Sequence, residues 1–500
     1  MIRNFKIDIN EIIKNNADEI ALMAVCPQND EIEIMLSYQD VKTLIQKTSA
    51  LIKNFNLNSG DNIMTILPNS LELAIIFLTC MYSGINLIPL PCETKNSDIN
   101  NIFEIANPKL CFISNLVNEK FSDNKNLTQE NQSIINIDGS FSWLNDDKYE
   151  YNGDDACIFI STSGTTGEPK LMKININKLW SSGYSFLSAH NLLNAQLRFL
   201  NYLPMSYLGG LFNLCLIPLL SKGCSVITET FNGRTYLNFW QMIERFKINA
   251  IWFTPSIIKG LSTFGQRIPI EERHKATNDI KVCFLGTAPI NLENKINFEK
   301  QFNIELYENF ALSETTFFTS ETKESLNIRE ESSVGEKLNY VDIKLKELEN
   351  KTYEILVKTP YLFDGYLTKE GLIPPDIDEE GYFSTCDLGS FNKNGTLIIQ
   401  GRNRDIIKKG GYFISLREIE LLAEQNQYVK EAAAVKIPHD FYGESYNLYL
   451  VLEEDIENTM VNHQILDKLI KYKWPEEIII KKEFPRTSSG KIKKQELLKP

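Results

Sequence analysis

Five hundred residues exceed what one ordinary core holds, so at least two domains are expected. Apolar residues at 43% and charged residues at 23% are ordinary for a globular protein and exclude a largely disordered chain. The formal charge of −13, from Lys+Arg 52 against Asp+Glu 65, argues against a broad nucleic-acid surface.

In chain order, the start from Met1 to Asp8 has no apolar stretch of the kind a signal peptide needs. Ser59-Gly60-Asp61 predicts a turn and Ile63 to Leu67 a buried strand. Asn69 is then expected to cap a helix, with Glu72 closing a capping box, and Gly84 to end it. A second apolar strand follows over Ile85 to Leu90. The run Leu73 to Pro91 is near the length of a membrane span, but Gly84, Asn86, Pro89 and Pro91 break it, so a core helix and a buried strand are expected instead. Strand, helix and strand make a βαβ unit, and similar units recur near Ile248 to Leu261 and Ile280 to Leu306.

From Tyr353 onward short strands are broken by Gly and Asn, with Asn394-Gly395 a hairpin signal between Gly389 and Leu397. Gly401 to Gly411 holds four basic residues among glycines and is expected to join two domains. Beyond it Ser415 caps a helix with Glu418 at the capping-box position. The expected fold is α/β: a large N-terminal domain (1–402) of mainly parallel, helix-covered sheets with a β-rich subdomain, then a small, mobile α+β C-terminal domain (403–500).

Nine cysteines without a C-x-x-C pair argue against a disulfide framework or a thiolate zinc site, which makes the reducing cytoplasm the expected compartment. The four histidines lie far apart, so any metal is expected on carboxylates and substrate phosphates, as Mg²⁺ is. No transmembrane segment is expected.

The central motif runs from Asp155 to Lys170. An apolar strand feeds directly into Thr162-Ser163-Gly164-Thr165-Thr166-Gly167-Glu168-Pro169-Lys170. Glycines allow close backbone approach to an anion, exposed N–H groups and hydroxyls donate to phosphate oxygens, and the lysine adds charge. The plain alternative is a flexible surface loop, but the end of a buried strand is where α/β sheets bind ligands.

Further along stand Leu285-Gly286-Thr287-Ala288-Pro289, Asn309-Phe310-Ala311-Leu312-Ser313-Glu314, Gly381 to Gly389, Gly401-Arg402-Asn403-Arg404-Asp405 and Phe484 to Ile492. With the 162–170 loop, these resemble, in order and spacing, the motifs of the adenylate-forming superfamily of acyl-CoA synthetases, peptide-synthetase adenylation domains and beetle luciferases. The resemblance covers nearly the whole chain and is nearest to stand-alone acyl-CoA synthetases. It departs from the usual pattern at Phe310, Ala311 and Ser313, which replace Tyr, Gly and Thr, and at Cys386, which replaces Gly.

The resemblance implies ATP-dependent activation of a carboxylic acid as acyl-AMP, then transfer to a thiol. It implies that Thr162, Ser163, Gly164, Thr165, Thr166, Gly167 and Lys170 hold phosphates, while Gly286, Thr287, Ala288, Pro289, Asn309, Phe310 and Ala311 meet adenine. Ser313 would contact phosphate, Glu314 and Thr166 would hold Mg²⁺, and Asp387 and Arg402 would bind ribose. Arg404 would be the hinge, Gly410 and Gly411 would shape the thiol's approach, and Lys491 would be the catalytic lysine. Read without the family, the last is part of a basic tail.

Leu203 to Gly210 aligns with the segment beside the family's acyl pocket, with Tyr207 in place of a histidine, and Gly209 and Phe212 close by. With Phe310 and Phe317 near in motif terms and no aspartate for an ammonium, an uncharged aliphatic or aromatic acid is expected. Coenzyme A is the expected acceptor because the chain stands alone and ends just after its lysine motif. A carrier-protein phosphopantetheine is the alternative, and a non-catalytic nucleotide sensor on the same fold is the reading from another class.

Overall fold

A computed structural model describes residues 2–26, 29–117, 124, 133–138, 141–153, 155–163, 169–265, 268–288, 290–348, 352–402, 405–409, 412–453, 458–486 and 492–498. The expected βαβ unit is there. Strand Asn62–Ile66 leads into helix Leu71–Ser83 and returns as Asn86–Leu90, parallel to the first strand. All thirteen helix residues are buried, as befits a helix that is apolar on every side. No helix among the described residues is long and apolar enough to cross a membrane.

The expected capping box at Asn69 and Glu72 is not what forms. Ser70 caps the helix by accepting from the Leu73 N–H at 3.2 Å. The Asn69 amide is engaged elsewhere, donating to the Leu203 carbonyl (2.9 Å) and accepting from the Met205 N–H (2.8 Å). Two tertiary bonds take Asn69 from a task that the next residue, also a good cap, performs equally well. Gly84 ends the helix at φ 72°, and a Cβ there would meet the Gly153 Cα at 2.8 Å, so glycine is required twice over.

Asn62–Ile66 and Asn86–Leu90 belong to an eight-stranded sheet in which Leu110–Ser114, Ser133–Ile137 and Cys157–Ser163 are also parallel. Pro169–Asn175, Gly365–Thr368 and Gly371–Ile373 extend it antiparallel at one edge. A nine-stranded sheet has a parallel centre running through Ile20–Val25, Cys224–Ile227, Arg198–Asn201, Ala250–Phe253, Val282–Leu285 and Leu306–Leu312. Val282–Leu285 is buried at every position, as expected of a parallel strand covered on both faces.

Asp342–Glu347, Tyr353–Lys358, Phe383–Phe391 and Leu397–Arg402 form a four-stranded antiparallel sheet. Its last hairpin is the one Asn394-Gly395 signals, with Phe391 opposite Leu397 and Gly395 at φ 82°. After Arg402 a five-stranded sheet begins with Ile406–Lys409 and carries helix Leu416–Glu424, which Ser415 caps through the Glu418 N–H. Ile407, Ile419, Leu448 and Val461 form an apolar cluster of their own in this part of the chain.

Candidate active site

Two parallel strands carry, at their carboxyl ends, the residues expected to meet adenine, and such strand ends are where open α/β sheets bind ligands. Val282–Leu285 ends at Gly286, and Leu306–Leu312 carries Asn309, Phe310 and Ala311 before turning at Ser313 and Glu314. The two ends are tied together, because the Asn309 amide donates to the Leu285 carbonyl at 3.0 Å. A Cβ on Gly286 would lie 3.0 Å from Asn309 Oδ1, so a larger residue there would push this contact apart. Thr287 and Ala288 follow, exposed, with Thr287 at φ 79°.

Beyond the strand, two tyrosines hold the turn. Tyr207 and Ser313 share a hydroxyl–hydroxyl hydrogen bond of 2.6 Å. The Tyr366 hydroxyl donates to Glu314 Oε1 at 2.6 Å, and the Phe363 N–H donates to the Glu314 carbonyl at 2.8 Å. Burial, and then the Glu314 carboxylate, pushes the Tyr366 pKa up, so its proton stays in place. Burial likewise raises Tyr207, which also feels the charges of Glu314 and Arg402. Tyr207 is therefore within electrostatic reach of the Glu314 carboxylate and of Arg402, a member of a second pair.

That pair is Asp387 and Arg402, directly opposite each other on neighbouring strands. Arg402 Nε donates to Asp387 Oδ1 at 2.9 Å. Asp387 is 2% exposed, and a carboxylate so buried needs a charged partner. Cys386, just before it, holds φ 57°, the left-handed backbone that a glycine adopts more readily.

The 162–170 motif begins and ends on two paired strands at the edge of the parallel part of its sheet. Cys157–Ser163 pairs with Pro169–Asn175, with Thr162 opposite Lys170 and Ser163 opposite Pro169. A family model for AMP-binding enzymes matches residues 10–367, and one for the AMP-binding enzyme C-terminal domain matches residues 418–491. The chain belongs to the AMP-binding enzyme family.

This AMP-binding enzyme is 29% identical to malonate–CoA ligase of Arabidopsis thaliana over 385 residues, covering 71% of this chain and 62% of that protein. It is 25% identical to a 2-succinylbenzoate–CoA ligase of Staphylococcus aureus over 486 residues, 91% of this chain and 94% of the relative. Its fold matches the ATP-bound crystal structure of MatB from Rhodopseudomonas palustris with a TM-score of 0.84, at 20% identity and with 99% and 98% of the two chains covered.

Among the residues singled out from sequence, Gly164, Thr165, Thr166, Gly167, Pro289, Arg404, Gly410, Gly411 and Lys491 lie outside the described residues, as do the side chains of Thr162 and Ser163. The structure brings together Gly286 with Asn309, Tyr207 with Ser313, and Asp387 with Arg402. Gly209 and Phe212 lie on a π-helix, Gly209–Leu216, right after Tyr207. Such wider turns recur at functional sites.

Phe310 packs on Phe318 at 4.8 Å, while Phe212 and Phe317 stack on each other at 5.5 Å. Tyr366 was missed from sequence, because only its contact with Glu314, fifty-two residues away, marks it out.

A half-buried carboxylate with one oxygen held by a phenol suits a hard cation. No cluster of three or more potential ligands occurs among the described residues. Glu314 together with substrate phosphates is thus a donor set that fits Mg²⁺, which takes few protein ligands.

Proposed function

We propose that this chain is an ATP-dependent acid–thiol ligase that forms acyl-AMP, releases pyrophosphate and then passes the acyl group to coenzyme A. The observation that carries the reading is the meeting of Ser313, Glu314, Tyr207 and the Asp387–Arg402 pair beside the adenine-side strand ends of an AMP-binding enzyme. The two relatives, named as CoA ligases for malonate and for 2-succinylbenzoate, support coenzyme A as the acceptor.

In the first step a carboxylate oxygen of the acid bonds to the α-phosphorus, and the bond to pyrophosphate breaks. Both reactants are anions and the acid is already ionised, so no base is required. What is needed is positioning and neutralisation of charge. Asp387 and Arg402 hold the ribose, Asn309 and Phe310 flank the base, and the 162–170 loop with Lys170 keeps the pyrophosphate oxygens. Glu314 and Thr166 would hold Mg²⁺, which would supply positive charge against the phosphates. Lys491 meets the α-phosphate. In the second step a thiolate sulfur attacks the acyl carbon and AMP leaves.

We assign residues 1–402 to the body that binds ATP and acid, and 403–500 to a smaller unit that turns about Arg404 between the steps. Gly410 and Gly411 then line the thiol's approach. A carrier-protein phosphopantetheine would serve the same chemistry. Nine cysteines without a C-x-x-C pair support a reducing compartment, the cytoplasm.

The test is acid-dependent pyrophosphate release across a panel including malonate and 2-succinylbenzoate, followed by thioester formation with coenzyme A or a carrier protein. Nucleotide binding without release for any acid would establish a sensor instead. Thioester formed only on the carrier would move the acceptor.

A further inference from the structure

We propose that two ion pairs, Arg486–Glu431 and Lys494–Glu420, clamp both ends of the segment that carries Lys491 and so position that lysine for acyl-AMP formation. The inference rests on the function proposed above and adds to it what holds the lysine in place.

Residues 487–491 lie outside the described ones, but both flanks are described. Arg486 and Ile492 form an antiparallel bridge, and the Lys493 N–H donates to the Pro485 carbonyl at 2.8 Å. The segment is thereby closed at its base. Just outside the base, Phe484 and Leu497, 5% and 4% exposed, enter one apolar cluster with Val435, Tyr449 and Val451. Both ends are therefore seated on the same cluster.

A single bridge fixes where the base lies but not how it is turned, and the two ion pairs supply that second restraint. On one flank Arg486 donates to Glu431 Oε2, on the strand Val429–His439. On the other, Lys494 Nζ lies 2.7 Å from Glu420 Oε1, on helix Leu416–Glu424. Glu420 is 3% exposed, and a carboxylate so buried needs charged partners. It also accepts from Arg417 at 3.2 Å and from the Ala434 N–H at 2.9 Å, on the strand that carries Glu431. Both pairs thus refer the segment to one strand. The Arg486 and Glu431 side chains are 34% and 27% exposed, and pairs so open to water add little stability, so what this one contributes is geometry.

The experiment measures the two half-reactions separately by rapid quench in the full chain. It compares the wild type with Arg486→Met, with Lys494→Met and with the exchange Arg486→Glu plus Glu431→Arg. Each Met variant is expected to slow acyl-AMP formation by roughly three-fold to thirty-fold, inside the hundred-fold that a misplacement of about 1 Å can cost. Thioester formation from supplied acyl-AMP should stay near the wild-type rate, and the exchange should restore most of the first step. In Lys494→Met the Glu420 carboxylate keeps Arg417 and the Ala434 N–H, so the fold survives, as melting temperatures will show.

Equal slowing of both steps in folded variants would overturn the clamp, because a merely structural role would act on both. An unslowed first step, or an exchange variant as slow as Arg486→Met, would overturn it as well while leaving the ligase reading intact. Absence of pyrophosphate release by the wild type with every acid would overturn the ligase reading and the clamp with it.

Discussion

The Tyr366 hydroxyl donates to Glu314 Oε1 at 2.6 Å, linking residues fifty-two positions apart. The bond fixes one oxygen of the proposed Mg²⁺ ligand. Hydrogen bonds to a charged group contribute about 1.5–3 kcal/mol. Tyr366→Phe should therefore slow pyrophosphate release by roughly ten-fold to a hundred-fold and raise the Mg²⁺ concentration at half-maximal rate. A titration of rate against Mg²⁺ reads both, and an unaltered midpoint would deny Tyr366 its positioning role.

Lys491 has a different signature, because its assigned task belongs to one half-reaction. Lys491→Ala is expected to slow acyl-AMP formation by about 10²-fold, the scale of losing one oriented charge donor. Thioester formation from supplied acyl-AMP should fall much less. Rapid-quench measurement of the two steps separates them, and equal damage to both contradicts the assignment.

A buried ionic network underlies the strand Leu306–Leu312. Lys295, 1% exposed, reaches Glu308 at 3.0 Å and Glu321 at 2.6 Å, and Arg329 links Glu321 to Glu299. Lys295→Met would strand the buried Glu308 carboxylate and leave Glu321 to Arg329 alone, a change that costs about 3–5 kcal/mol. Burial pushes the Glu308 carboxyl up, with Lys295 opposing and Glu321 adding to the shift. Glu308→Gln, which resembles the neutral form, should accordingly be far milder. Urea unfolding midpoints of the two variants test the order.

His190 supplies a pH dependence. Its ring, beside Phe186 and Phe284 with Ser320 at 3.0 Å, is held down to about 4 by burial. The unfolded chain then binds a proton between the usual value near 6.5 and that pH, while the folded chain does not. Stability from this group is complete above about pH 6.5 and is lost as pH falls toward 4, roughly 3 kcal/mol in all. His190→Gln should flatten the fall in melting temperature over that window. A wild-type slope retained in the variant would assign the acid lability to other groups.

Much of this architecture could be read locally. The βαβ unit over residues 62–90 is written in apolar runs, a left-handed glycine at 84 and a cap within one residue of its true place. The hairpin at Asn394-Gly395 and the cap at Ser415 are equally short-range, since turn and cap chemistry involves neighbours along the chain. Motif order likewise identified the family, because each nucleotide-binding motif is a continuous stretch.

Partnerships across long separations were another matter. Asn69 was expected to cap a helix, and two bonds to the 203–205 segment claimed it instead. Phe212, Phe310 and Phe317 looked alike as pocket aromatics, yet Phe310 faces Phe318 while the other two stack on each other. A side chain's type reports what it can bury or bond. Which partner it meets depends on how distant elements pack, and the ring stack behind Tyr207 exists only once helix, π-helix and two sheet strands have closed on the same volume.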